Sequence, residues 1–86
     1  MTAATAFRPL TLTRTPQGIA LTVAWLAADG SQATRDYLVG PVRTMDGCRL
    51  AQATYERADG TRATLTDRRK RAALAAMVDA WERDGR

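Results

Sequence analysis

Ile19, Leu21, Val23 and Trp25 alternate with Ala20, Thr22, Ala24 and Leu26. A period of two sends the first set to one face of a strand and the second set to the other. The second face is small but hardly polar. That suits a central strand covered by a helix on one side and by a partner, or by little, on the other. Leu10 and Leu12 alternate with Thr11 and Thr13, so Phe7 to Arg14 reads as a first strand, entered past Pro9 at an edge position. Thr15-Pro16-Gln17-Gly18 turns the chain between the two. Asp29-Gly30 is a second turn, because both residues tolerate positive φ, and Gln32 to Val39 returns as a third strand.

Gly40-Pro41 is expected to end that strand, since proline donates no ladder hydrogen bond and restricts the residue before it. Val42 to Met45 then reads either as a short strand or as an irregular crossing. Asp46-Gly47 marks another turn. Cys48 to Arg57 is a fourth strand candidate, although Arg49 to Tyr55 also fits a short helix, and Arg62 to Leu65 is a short return after Asp59-Gly60.

Beyond Leu65 the period changes. Leu74, Met77, Val78 and Trp81 fall at i, i+3, i+4 and i+7, one apolar stripe of a helix flanked by Ala73 and Ala80. Thr66 is the expected cap and Gly85 the expected stop. The fold class that follows is α+β: an antiparallel β-meander of about four strands with one C-terminal helix packed on one face. Residues 1–86 form a single small domain in this reading, with a loose tail over 1–6, the meander over 7–65 and the helix over 66–84.

One internal echo is visible. Ala28-Asp29-Gly30-Ser31-Gln32-Ala33-Thr34 matches Ala58-Asp59-Gly60-Thr61-Arg62-Ala63-Thr64 at all but two positions. A duplicated hairpin would produce it. So would turn chemistry that selects the same central dipeptide twice.

The helix carries its charges the wrong way round for its dipole. Arg68, Arg69, Lys70 and Arg71 crowd its start, while Asp79, Glu82 and Asp84 crowd its end. Carboxylates near the amino end and cations near the carboxyl end would each contribute about 0.3–1 kcal/mol. Asp67 with Arg71, and Asp79 with Arg83, are i,i+4 pairs that offset part of this. The basic run is therefore the first candidate for binding an anion or an acidic partner, with phosphates or carboxylates meeting both side chains and free N–H groups. Its plainer reading is a solvated helix start whose arginines pair with Asp59 or Glu56.

Tyr37 beside Arg35 and Tyr55 beside Arg57 interleave aromatic and cationic side chains, which suits a protein interface or a single nucleic-acid strand. With Leu26 they form the second candidate surface. Trp25 and Trp81 sit on the most apolar face of their elements and read as core, where they are candidates to face one another across the sheet–helix interface.

Composition narrows the function classes. The 86-residue chain has a net charge of +4, modest for a dedicated nucleic-acid binder. All its basic residues except Lys70 are arginine, which with abundant Ala, Asp and Gly reads as GC-rich bacterial or phage coding. It has no histidine, so neither an imidazole base nor the usual zinc ligand sets are at hand. Cys48 is alone, with no base beside it, and forms no intramolecular disulfide. No metal or cofactor motif is present and no stretch is long enough to span a membrane, so the expected location is cytoplasmic. The function expected is a non-enzymatic small binding protein acting through protein–protein contacts. A homodimer is expected, because so thin a core gains stability by association, and the size and composition resemble those of phage or mobile-element accessory proteins. The alternative is a nucleic-acid-binding protein using the basic helix start.

Overall fold

The alternation over residues 19–26 becomes the second strand of an antiparallel meander. The computed structural model describes residues 8–84; the expected loose tail, Phe7 as a strand residue and Gly85 as a stop lie outside the described residues. In order come β1 (Arg8–Thr15), β2 (Gly18–Leu26), β3 (Gln32–Met45), β4 (Cys48–Glu56), β5 (Arg62–Thr64) and α1 (Arg68–Asp84). The five strands lie side by side in sequence order, every neighbouring pair antiparallel. α1 packs across β4, and its carboxyl half reaches β1. The fold is thus the expected α+β meander and helix, with the short return counting as a fifth strand. Among the described residues no helix is long and apolar enough to cross a membrane.

Two expectations need correction. Gly40-Pro41 does not end the third strand, which continues to Met45. Val39 pairs with Ala53 and Val42 with Ala51, so Gly40 and Pro41 stand together opposite Gln52 as a bulge. A bulged residue is excused from the ladder, and proline is tolerated where no donor is required. Residues 48–56 are the expected fourth strand, not the short helix that Arg49 to Tyr55 also fits.

The second correction concerns the cap. The helix starts at Arg68, and Asp67 rather than Thr66 caps it: Lys70 N–H donates to Asp67 Oδ1 at 3.1 Å, and Arg71 N–H to Asp67 O at 2.9 Å. Both residue types cap well, and the choice follows from where β5 releases the chain.

Asp-Gly plays two different roles. At Asp46-Gly47 both φ angles are positive, 54° and 80°, between paired Met45 and Cys48, which makes a two-residue hairpin turn. At Asp29-Gly30 and Asp59-Gly60 only the glycine is positive, at 88° and 90°. There the loops Ala27–Ser31 and Arg57–Thr61 close with the same pair of backbone bonds, Gly30 to Ala27 and Ala27 to Ser31, then Gly60 to Arg57 and Arg57 to Thr61. Each aspartate accepts from the backbone N–H and hydroxyl two residues on, at 3.0 and 2.6 Å for Ser31 and 3.0 and 2.7 Å for Thr61. These bonds hold both carboxyls below the usual carboxylate range, Ser31's hydroxyl leading at Asp29 and Thr61's amide at Asp59. The sequence echo is therefore an echo of structure.

Core residues come from one face of the sheet. Ile19, Leu21, Val23, Tyr37, Val39, Ala51 and Ala53 meet Leu65, Leu74, Ala75 and Val78, with Trp25 and Trp81 half-buried against them. The stripe of α1 lies on the sheet as the period requires, although Leu74, Ala75 and Val78 rather than Trp81 form its buried centre. Leu50 is buried apart from this cluster. No charged residue among those described is buried.

Candidate functional site

Neither expected surface survives as a unit. Of the basic run, Arg71 is structural. Its Nε donates to the carbonyl of Ala51 at 2.9 Å, and its Nη2 lies 4.0 Å from Met45 Sδ. β5 is only three residues long and ends before it can cover Ala51, so this side chain supplies the donor that a longer strand would have given. Lys70 is half-buried, whereas Arg68 and Arg69 are exposed and form no side-chain hydrogen bond or ion pair among the described residues. The expected pairing of the run with Asp59 or Glu56 does not occur: Asp59 is held by its own turn.

The strand aromatics divide. Tyr37 and Tyr55 are directly opposite in the β3–β4 register, edge to face with centroids 5.8 Å apart and planes at 75°. The Arg35 guanidinium lies over the Tyr55 ring at 4.5 Å. Arg57 belongs instead to the β4–β5 turn, where Nη1 donates to Thr61 at 3.5 Å. Leu26, 47 % exposed, is on the face of β2 turned away from α1. Arg35, Tyr37 and Tyr55 are thus one cluster, and the other two interface candidates are not part of it.

That cluster touches the helix start. Burial raises the Tyr37 hydroxyl above its ordinary pKa; Arg35 opposes the rise, while Tyr55 and the Asp67 cap add to it. Tyr37 is 2 % exposed, yet its Oη meets no hydrogen-bond partner. A buried unsatisfied hydroxyl costs about 1–3 kcal/mol, and an apolar isostere escapes that cost. Tyr37→Phe is therefore expected to leave thermal stability unchanged or raise it by about 1 kcal/mol in a denaturation midpoint. A loss of that size would instead show a working bond from Arg35.

The helix acids have tertiary partners that local spacing does not show. Arg49 binds Asp79 through two bonds, Nε to Oδ2 at 3.1 Å and Nη2 to Oδ1 at 2.8 Å. Those bonds are the main reason the Asp79 carboxyl sits below its ordinary range, with Arg83 contributing less. Arg14 reaches Glu82 at 3.1 Å and lies 5.0 Å from the centre of the Trp81 ring. Both ion pairs are exposed, so each contributes only about 0.2–1 kcal/mol. They tie the carboxyl half of α1 to β4 and β1.

The face of the sheet away from α1 is more polar than its sequence suggests. Thr22 Oγ1 donates to Asp36 at 2.5 Å, Arg8 Nη2 to Gln32 at 2.9 Å and Arg62 Nη2 to Thr54 at 2.8 Å. The Arg8–Gln32 bond crosses β2 from β1 to β3, and Ala24 beneath it is fully buried.

A surface not anticipated from the sequence lies between β1 and α1. Pro9 and Leu12 on the strand face Met77, Ala80 and Trp81 on the helix across an open groove of about 510 Å³, with Asp84 at its mouth. Its walls are almost wholly apolar. Leu10, at the bulge in β1 and next in sequence to Pro9, is 46 % exposed. The only early hint was that Leu10 and Leu12 alternate on a strand with proline at its entrance.

Fold and surface together define a small α+β domain with an apolar groove along one sheet edge and, at its helix start, two arginines without a partner among the described residues. Compared with known proteins, the chain matches no family model, no curated protein and no solved structure. Among the described residues no cluster of histidine, cysteine, aspartate or glutamate is arranged to hold a metal ion.

Proposed function

We propose that this chain is a non-enzymatic binding protein that acts by docking another polypeptide, and that the groove between β1 and α1 is where it does so. The observation that carries this is the groove itself: among the described residues, its apolar walls are left open beside an edge strand whose backbone is unpaired on one side. Such an edge accepts an added strand, and an adjoining apolar slot gives that strand side-chain specificity. The carboxylates that acid–base chemistry would draw on are largely occupied in structure. Asp29, Asp59 and Asp67 hold turns and a helix end, Asp36 holds Thr22, and Asp79 and Glu82 hold arginines. An exposed lone Cys48 fits a reducing compartment, and the cytoplasm is the proposed location.

A second reading, nucleic-acid binding, is favoured by Arg68 and Arg69 alone. Photo-crosslinking separates the two. With benzoylphenylalanine at Ala76, exposed on the groove wall, a discrete protein adduct is expected in the cells that express the chain natively, and none from Gln52 on the far side of the sheet. Equal labelling from both positions, or none, would overturn the docking reading. Oligonucleotide binding that weakens with salt and disappears in the Arg68→Glu/Arg69→Glu variant would put the nucleic-acid reading in its place.

A further inference from the structure

We propose that the sheet is one structural unit used twice, and that the groove is the vacant place beside the first unit, fitted to a β-hairpin of the same kind on another polypeptide. The proposal rests on the docking reading above and names the form of the partner. With 30 added to each residue number, the pairs Arg8↔Ala24, Leu12↔Leu21 and Thr15↔Gly18 become Leu38↔Thr54, Val42↔Ala51 and Met45↔Cys48, all of which occur. Every β1–β2 pair except Thr11↔Thr22 has such a counterpart. Trp25↔Ala33 and Leu26↔Gln32 likewise become Tyr55↔Ala63 and Glu56↔Arg62. The bulge between Pro9 and Thr11 recurs between Val39 and Val42, and both hairpins turn on two residues, Pro16-Gln17 and Asp46-Gly47. Register, bulge and turns sharing one period mark a repeat, residues 8–34 and 38–64. Outside 28–34 and 58–64 no aligned pair of residues is identical, so the sequence shows only its loop.

The second unit shows what belongs in the groove. Pro9 and Leu12, its strand wall, correspond to Val39 and Val42. Beside Val39 and Val42, next to Val78 and Glu82 of α1, stands the hairpin of the first unit, Thr15 to Gly18. Beside Pro9 and Leu12 that place is open among the described residues. Repeats pack on neighbours of their own kind, so the occupant that fits is a hairpin like Thr15 to Gly18. Its chemistry is narrow. A Cβ on Gly18 would stand 2.5 Å from the Val39 carbonyl oxygen, so a hairpin approaching Pro9 as closely needs glycine at the same position. A second copy of this chain does not offer one: its first hairpin already lies on its own β3, and its other hairpin carries Cys48 where the first has Gly18. Helix α1 takes the place of a third unit. Leu65 N–H reaches the Ala53 carbonyl as the counterpart of Arg35 opposite Val23, and Arg71 Nε then takes the Ala51 carbonyl, whose counterpart Leu21 faces Tyr37.

Adding a unit tests the fit. A second copy of residues 8–37, inserted after Tyr37, places a Thr15–Gly18 hairpin beside the copy of Pro9 and Leu12 that α1 overlies. The extended chain is expected to melt cooperatively about 5 °C or more above the wild type. Benzoylphenylalanine at the position of Ala76 should then crosslink within the chain, to the outer hairpin. An insert one residue shorter reverses the faces of the joined strand and should melt below the wild type. Pro9→Val in the added copy guards against proline breaking that strand. The proposal is overturned if neither extended chain folds, if the shorter insert does as well, or if the crosslink falls elsewhere. In the native cells, the peptide joined to Ala76 of the unextended chain is expected to carry a two-residue turn followed by glycine, between strands of alternating apolar residues. An adduct with a second copy of the chain would overturn the assignment of the partner. If the extended chains fail but a foreign protein is still captured from Ala76 and not from Gln52, the docking reading stands and the form of the partner is wrong; with no adduct, both fall.

Discussion

Truncating Leu74 to alanine is expected to destabilise the protein by about 3 kcal/mol, within the 2–5 kcal/mol that such deletions cost in buried sites. Leu74 has no exposed surface and sits where α1 meets the sheet. A helix of 17 residues is marginal alone in water, so α1 depends on this packing rather than on its own propensity. Set against a typical total of about 5–15 kcal/mol, the loss is large. In a domain of this size it should lower the melting temperature by roughly 12–24 °C. Leu26→Ala is the matched control, removing the same atoms from a site 47 % exposed. Its effect should stay below about 1 kcal/mol. Equal losses from the two variants would mean that α1 is not seated on the sheet as described.

Gly18→Ala should cost nearly as much, for a different reason. The residue has φ of +146°, and a Cβ built on it would stand 2.5 Å from the carbonyl oxygen of Val39. That oxygen is backbone in the neighbouring strand, with no flexible end to move aside. Holding alanine in such a conformation costs about 1–3 kcal/mol before the collision is counted. Gly30 and Gly60 separate the two contributions, because their φ values are positive but nothing lies within 4 Å of a built Cβ. Alanine at either should cost only the conformational part, about 1–2 kcal/mol. If chemical denaturation shows all three variants equally destabilised, the close approach of β2 and β3 at Gly18 is not what that glycine is for.

Regular alternation and helical periodicity were legible from the sequence because burial on one face imposes them. β2 and the stripe of α1 are the clearest cases. The misreadings come where a local rule meets a tertiary exception. Gly40-Pro41 carries the chemistry of a strand end, but inside a bulge opposite Gln52 the missing N–H is not needed. Along the chain, Asp79 meets Arg83 at i,i+4, the partnership that local spacing favours. Its main partner, Arg49, is 30 residues away and arrives by way of β4. Arg71 belongs by sequence to a cationic run, whereas the early end of β5 recruits it to the sheet. The candidate surface was the least legible part. Its walls come from residues 9–12 and 76–84, and neither segment has a composition that marks a groove.

The guanidinium that Arg71 lays on the Ala51 carbonyl has a consequence for assembly. Together with a strand of only three residues at that margin, it leaves one side of the sheet blunt, while among the described residues the β1 side is long and open. A sheet with two free margins can add neighbours without limit and grow into a fibre. One with a single free margin can take one neighbour there and then has nowhere to continue.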